Sequence, residues 1–109
     1  MTKGISGRTV IVTGAASGIG RTAAIAFAGE GAKVVVATDK NTIGAEETVS
    51  LINEAGGEAL FVKCNVAVEQ EVEELISRSI DAFGRLDFAF NNAGVGPDGR
   101  RVPVLPVAD

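Results

Sequence analysis

The sequence predicts an α/β fold in which helices cover both faces of a parallel sheet. Short β-branched runs alternate with longer segments of helical periodicity between residues 9 and 90, in the order β-α-β-α-β-α-β with tight connections. This alternation is typical of parallel strands joined by right-handed crossovers. We therefore expect a doubly wound parallel sheet with strand order 3-2-1-4, incomplete on its C-terminal side.

Four apolar runs predict the strands of this sheet. The first two are dominated by Val, Ile and Ala, which indicates strands buried on both faces. The third and fourth runs contain fewer β-branched residues, and each is followed by a polar turn. The predicted strands are 9–13, 33–37, 59–62 and 86–90.

Three segments with helical spacing separate these strands: 19–30, 42–55 and 69–83. We expect Thr42 to cap the second helix, because a threonine oxygen can accept a hydrogen bond from the first turn. The third helix opens with several glutamates, which suit the positive end of its dipole, and Gly84 is expected to end it. Its predicted apolar face consists of Val72, Leu75, Ile76, Ile80 and Phe83.

The composition excludes several functional classes. The net charge of −4 argues against a nucleic-acid partner, which requires clustered Lys and Arg. No apolar stretch approaches the ~18 residues that span a bilayer, and the N-terminus lacks a signal-peptide pattern, so we expect no membrane partner and a cytoplasmic location. The chain has no histidine, so a His-based metal site is excluded and no metal is expected. Cys64 follows an apolar run and is predicted to be a buried structural thiol.

A glycine-rich turn, TGAASGIG at 13–20, lies between the first strand and the first helix. A helix N-terminus offers free N–H groups and a positive dipole end to a dinucleotide pyrophosphate. A side chain at Gly14 or Gly18 would obstruct the phosphates, and one at Gly20 would push the helix away from the strand. This context predicts a Rossmann-type site, although three turn glycines without a ligand would give the same spacing.

An acidic residue follows the second strand, where the adenosine ribose of a dinucleotide would lie. Asp39 could accept hydrogen bonds from the ribose hydroxyls and would repel a 2′-phosphate, which favours NAD over NADP. Thr38 could make the ribose contact instead, and a solvated Asp opening the next helix is the alternative.

Amides follow the third and fourth strands. The Asn65 side chain can both donate and accept, which suits an adenine edge, although Asn is also a common turn residue. Asn91 to Gly94 bring amides and small residues toward the same groove, beyond the carboxyl ends of the strands.

Three matches together resemble the short-chain dehydrogenase/reductase family: TGxxxGIG at 13–20, Asn-Val at 65–66 and Asn-Asn-Ala-Gly at 91–94. The resemblance extends over 1–95, which we interpret as the N-terminal part of an NAD(P)-binding domain. We interpret 96–109, which contains all three prolines, as a loop or extended tail. The resemblance implies a cofactor site composed of Gly14, Ser17, Gly18, Ile19, Gly20, Thr38, Asp39, Asn65, Val66, Asn92, Ala93 and Gly94.

The sequence departs from the family's usual residues at two positions of the cofactor site. Many members have their acidic residue where Thr38 stands, and Asp is the usual residue where Asn65 stands. NADP-preferring members often carry a basic residue in place of Ser17, so its absence agrees with NAD. Members also use a Tyr-x-x-x-Lys pair as the proton relay, and this chain has no tyrosine.

The resemblance therefore implies the cofactor-binding half of an NAD(P)-dependent oxidoreductase for an alcohol or carbonyl substrate, without catalytic residues of its own. A free-standing, non-catalytic dinucleotide-binding module is the alternative. An in-frame continuation with Tyr-x-x-x-Lys would favour the oxidoreductase, and a stop codon after Asp109 with a stable soluble product would favour the module. The fourth strand would lie at an edge and expose apolar surface. We expect the 109-residue chain to be poorly stable or to self-associate, and the protein to be a homo-oligomer.

Overall fold

The computed structural model describes residues 4–92 and contains the seven elements that the alternation predicts. Between Ile5 and Gly7 the chain turns toward Gly31, whose carbonyl accepts a hydrogen bond from the Gly7 N–H at 2.9 Å. The elements are β1 (Thr9–Thr13), α1 (Gly18–Gly29), β2 (Lys33–Thr38), α2 (Thr42–Glu54), β3 (Glu58–Lys63), α3 (Glu69–Phe83) and β4 (Phe88–Asn91).

The four strands form one parallel sheet in the order β3-β2-β1-β4, which confirms the predicted order. β1 lies in the middle, with Val12 paired to Val36 of β2 and to Phe90 of β4. All five residues of β1 are buried, as expected for a central strand covered on both faces.

The helices lie on both faces, so the fold is doubly wound. Alternate side chains of β1 point to opposite sides of the sheet. Val10 and Val12 join a core cluster with α1 and α2, whereas Ile11 joins a second cluster with α3 residues such as Leu75. This arrangement follows from the strand order, because α1 and α2 step in one direction across the sheet and α3 returns over it.

Two local predictions about the helices are wrong. The N-cap of α2 is Asn41, not Thr42: the Asn41 Oδ1 accepts a hydrogen bond from the Gly44 N–H at 2.9 Å, while Thr42 is already helical. On α3, Ser79 is fully buried and donates to the Leu75 carbonyl at 2.7 Å, whereas Ile80 is 40% exposed. A small hydroxyl that bonds its own helix can pack against the sheet without leaving an unpaired group.

Gly84 ends α3 as predicted. It adopts a left-handed conformation with φ 82°, which glycine reaches without a steric penalty, and its N–H donates to the Ile80 carbonyl at 2.7 Å. β4 begins at Phe88 rather than at Leu86, because Leu86 packs as a buried residue in the α3 cluster before the chain pairs with β1.

The amino end of the sheet is closed by Asp87, which precedes β4. Its carboxylate accepts hydrogen bonds from the Arg85 side chain at 2.7 and 2.8 Å, from the Thr9 N–H at 2.9 Å and from Arg8 at 3.2 Å. These donors, Arg85 foremost, lower the pKa of Asp87 to about 2. One carboxylate therefore fastens the start of β1 to the start of β4.

β4 pairs only with β1 among the described residues, and it exposes apolar surface as predicted. Phe88 is 43% exposed and Phe90 is 36% exposed, both on the α1 side of the sheet. Phe27 of α1 covers part of Phe90 in an edge-to-face contact with ring centroids 5.9 Å apart. Within residues 4–92, no helix combines the length and the apolar character that a membrane crossing requires.

Candidate cofactor-binding site

The carboxyl ends of the strands converge on the N-terminus of α1. Ser17, Asp39, Asn65 and Asn92 each lie in or beside a loop that follows a different strand. Because parallel strands end at the same edge of the sheet, these loops border one groove. Ala93 and Gly94 of the predicted site, and the predicted tail 96–109, lie outside the described residues.

The turn after β1 requires glycine for two different reasons. Gly14 and Gly18 have φ values of 66° and 61°, a left-handed conformation that side chains rarely adopt. Gly20 is needed for space: a Cβ atom there would lie 2.1 Å from the Gly14 carbonyl oxygen and 2.9 Å from the Asn92 Nδ2. The sequence predicted a tight approach at Gly20, but the group that it approaches is the turn backbone and not the strand itself.

The N-terminus of α1 is open. Ser17 occupies the N-cap position with φ −166°, yet its side chain makes no capping hydrogen bond. Ser17 is exposed, and Ile19 in the first turn is 73% exposed. The first N–H groups of a helix have no partner inside the helix, so this end presents donors and a positive dipole to the groove.

Thr13 fastens the ends of β1 and β4 together. Its hydroxyl donates to the Asn91 Oδ1 at 3.0 Å and accepts a hydrogen bond from the Asn92 N–H at 2.9 Å. The Asn92 Nδ2 in turn donates to the Gly14 carbonyl at 3.4 Å. The predicted site residue Asn92 therefore lies directly against the glycine turn.

Thr38 and Asp39 form the next part of the groove. Thr38 ends β2, and its carbonyl accepts a hydrogen bond from the Cys64 N–H at 2.9 Å, which continues the pairing of β2 with β3. Asp39 follows at once and is half-buried. Within residues 4–92, the Asp39 carboxylate has no hydrogen bond or ion pair with another residue, so it can accept bonds from a ligand.

Asn65 adopts the turn role that the sequence left open as an alternative. Its Oδ1 accepts a hydrogen bond from the Ala67 N–H at 2.9 Å, and its own N–H donates to the Glu71 Oε1 at 2.8 Å. The side-chain oxygen is thus engaged locally, and within residues 4–92 the Asn65 Nδ2 donates to no other residue. Val66 packs against the core cluster under α3.

Cys64 is buried, as the sequence predicted, with 2% of its surface exposed. Burial, together with the negative charges of Glu71 and Asp39, raises its pKa to about 11. A thiol that remains protonated at neutral pH is a poor nucleophile, so Cys64 contributes packing rather than chemistry.

Sequence reasoning missed two residues that hold the turn, Arg21 and Thr48, and it gave no role to Thr13, the first residue of the glycine motif. Arg21 donates to the Ala16 carbonyl and Thr48 to the Ala15 carbonyl, both at 2.7 Å, and Arg21 also donates to the Thr48 hydroxyl at 2.8 Å. Their positions in α1 and α2 carry no local signal, because the two residues meet only when the helices pack side by side.

The parallel sheet in the order β3-β2-β1-β4, with helices on both faces, is Rossmann-like, and comparison with known proteins identifies the family. The profile of the short chain dehydrogenases matches residues 8–106. The chain belongs to this family.

Similar proteins are oxidoreductases. An "Uncharacterized oxidoreductase" of Thermotoga maritima is 45% identical over 93 residues, which are 85% of this chain and 36% of that protein. A 3-oxoacyl-[acyl-carrier-protein] reductase of Synechocystis is 42% identical over 94 residues, 86% of this chain and 38% of the reductase. The crystal structure of hydroxysteroid dehydrogenase from Escherichia coli superposes with a TM-score of 0.78 and 41% identity, covering 85% of this chain and 40% of that one. The chain thus spans well under half the length of these relatives.

Proposed function

We propose that this chain is the cofactor-binding half of an NAD-dependent oxidoreductase that acts on an alcohol or carbonyl substrate. The observation that carries the proposal is the open N-terminus of α1, which directly follows a turn with two left-handed glycines at the carboxyl end of the central strand. A pyrophosphate would receive N–H donors and a favourable dipole there.

The residues fit a dinucleotide in shape and charge. Ser17, Ile19 and Gly20 are proposed to line the pyrophosphate, because they form the first turn of α1 and because the Cβ-free Gly20 lets that turn lie against Gly14. Asn92, Ala93 and Gly94 are proposed to border the ribose next to the nicotinamide. Asn65 and Val66 are proposed to contact the adenine.

Asp39 is proposed to set the preference for NAD over NADP. Its carboxylate has no partner within residues 4–92, so the ribose hydroxyls can donate to it. A 2′-phosphate at the same place would meet a like charge, which is unfavourable in a half-buried position. Thr38 offers a neutral hydroxyl one residue earlier and could share the ribose contact.

The bound nicotinamide supplies hydride transfer, and the protein has to supply a proton donor or acceptor beside the substrate. This chain has no tyrosine and so cannot form the Tyr-x-x-x-Lys pair of the family. We therefore propose that the 109 residues alone bind cofactor without oxidising or reducing a substrate. Turnover of an alcohol by this chain alone would contradict that part of the proposal.

The test is a fluorescence titration of the chain with NADH and NADPH. We expect the chain to bind NADH more tightly than NADPH. Asp39→Ser should reduce the ratio of the two affinities by about tenfold, because one charge interaction of ~1.4 kcal/mol is lost. Asp81→Ser on the exposed surface of α3 is the matched control and should leave both affinities unchanged. Tighter binding of NADPH by the unsubstituted chain would overturn the role of Asp39, and binding of neither would overturn the proposed function.

A further inference from the structure

Arg21 and Thr48 connect the two helices of one face to the glycine turn. The Arg21 Nε donates to the Thr48 Oγ1 at 2.8 Å, and the Thr48 hydroxyl donates to the Ala15 carbonyl at 2.7 Å. The Arg21 Nη2 donates to the Ala16 carbonyl at 2.7 Å and to the Gly44 carbonyl at 2.9 Å. Two consecutive carbonyls of the turn are thus held by side chains from α1 and α2.

The part of this network that contains Thr48 and Ala15 is buried. Thr48 has 0% of its surface exposed, and Ala15 is equally buried. Glu47 lies outside this network on the surface: its side chain is 63% exposed, and its Oε1 lies 3.1 Å from the Arg21 Nη2. The bond from Thr48 to the Ala15 carbonyl is therefore shielded from water, and the bond from Arg21 to the Ala16 carbonyl is partly shielded. The ion pair with Glu47 is a surface contact of small energetic value.

α2 approaches the turn so closely that a side chain has no room at the point of contact. A Cβ atom at Gly44 would lie 2.6 Å from the Ala16 carbonyl oxygen. The contact that fixes Ala16 thus depends on a glycine in α2 as well as on Arg21.

Holding these carbonyls also fixes the N–H groups of the next residues. In a trans peptide the C=O and the following N–H point in opposite directions, and none of the described peptides is cis. Because the Ala15 carbonyl points to Thr48 and the Ala16 carbonyl points to Arg21, the N–H groups of Ala16 and Ser17 point away from α2. Within residues 4–92 neither of these N–H groups donates to another residue.

We propose that Thr48 and Arg21 are positioning residues for the cofactor pyrophosphate, acting through the peptide groups of the turn. They orient the N–H groups of Ala16 and Ser17 toward the bound phosphates without touching the ligand. This inference rests on the proposed dinucleotide site and adds to it the residues that preorganise its donors.

The test compares ADP-ribose, which carries the pyrophosphate, with adenosine, which lacks it. Both ligands are titrated into the ¹⁵N-labelled chain, and amide shifts are followed by NMR. Thr48→Val removes the hydroxyl at nearly constant volume, and we expect it to weaken ADP-ribose binding about tenfold, as for loss of one strong hydrogen bond. Adenosine binding should not change, whereas a general loss of structure would weaken both ligands.

Two further variants serve as controls. Thr48→Ser keeps the hydroxyl and should restore ADP-ribose binding to within about twofold, since the donated bond is retained. Glu47→Gln removes only the surface ion pair to the same arginine and should leave the affinity for ADP-ribose unchanged.

The failure of this inference is distinct from the failure of the proposed site. If the unsubstituted chain binds no ADP-ribose, the proposed function fails and the positioning role with it. If the chain binds ADP-ribose and Thr48→Val binds it equally well, only the positioning role is overturned. Should the Thr48→Val chain not fold, the unsubstituted chain decides: ADP-ribose must shift the amide resonances of Ala16 and Ser17, and unshifted resonances overturn the inference.

Discussion

The two ends of the sheet treat their polar groups in opposite ways. At the amino end, Asp87 accepts hydrogen bonds from two arginines and from a backbone N–H, so charge and donors are matched. At the carboxyl end, Ser17 leaves the helix uncapped, and Asp39 has no partner within residues 4–92. The amino end thus pairs its charge, whereas the carboxyl end leaves the first N–H groups of α1 and the Asp39 carboxylate without partners within residues 4–92, as the proposed cofactor site requires.

Disrupting the close backbone packing at the carboxyl end is expected to give the largest loss of stability. Gly20→Ala should lower the free energy of unfolding by about 3 kcal/mol, because the new Cβ would overlap the Gly14 carbonyl oxygen. Urea denaturation followed by circular dichroism measures the loss. Gly29→Ala lies in the same helix with open space around its Cβ, and it should stabilise the chain by up to about 1 kcal/mol. Equal stability of the two variants would show that the turn backbone can shift to make room for the new Cβ atom.

The hydrogen bonds of the Asp87 carboxylate at the amino end are expected to give the next largest effect on stability. Asp87→Asn removes the carboxylate that Arg85, Thr9 and Arg8 share, and it should cost about 2 kcal/mol at pH 7. Because the pKa of Asp87 is lowered to about 2 in the folded chain, its contribution is complete above the unfolded value of ~3.9 and is lost as the pH falls through 2.

The difference in stability between the native chain and Asp87→Asn should therefore shrink from pH 5 to pH 2. Asp81→Asn on the exposed face of α3 provides the control and should show little difference at either pH. If the difference in the free energy of unfolding between the native chain and Asp87→Asn stayed constant with pH, the charge of Asp87 would not contribute to stability. If the two ends of the sheet are as separate as the contacts indicate, Asp87→Asn should leave dinucleotide binding by the folded chain unchanged.

The exposed edge of the sheet is expected to give the smallest effect on folding but a visible one on association. Phe88→Lys places a charge on β4, and charged side chains on an edge strand oppose pairing with another chain. We expect the 109-residue chain to self-associate in sedimentation velocity runs and this variant to do so less. Val68→Lys is the control, because Val68 is exposed and lies before α3, outside both edge strands. A sharp, concentration-independent melt of a monomeric native chain would contradict the expectation.

Most of the fold could be predicted from local patterns. Periodicity and glycine positions predicted all seven elements to within two residues, and the order of strands followed from the handedness of crossovers. Two errors concern which of two adjacent residues takes a local role. Ser79 replaces Ile80 on the buried face because its hydroxyl bonds its own helix, and Asn41 caps α2 because its side chain reaches Gly44.

The sequence by itself determined the glycine turn, its place between β1 and α1, and the family to which these residues belong. Those features depend on residues close together in the chain. Only the tertiary structure decided which groups hold the turn in place, because Thr48 lies 33 residues from Ala15, and Asn92 lies 78 residues from Gly14. Such contacts form when helices and strands pack side by side, and no pattern along the sequence records them.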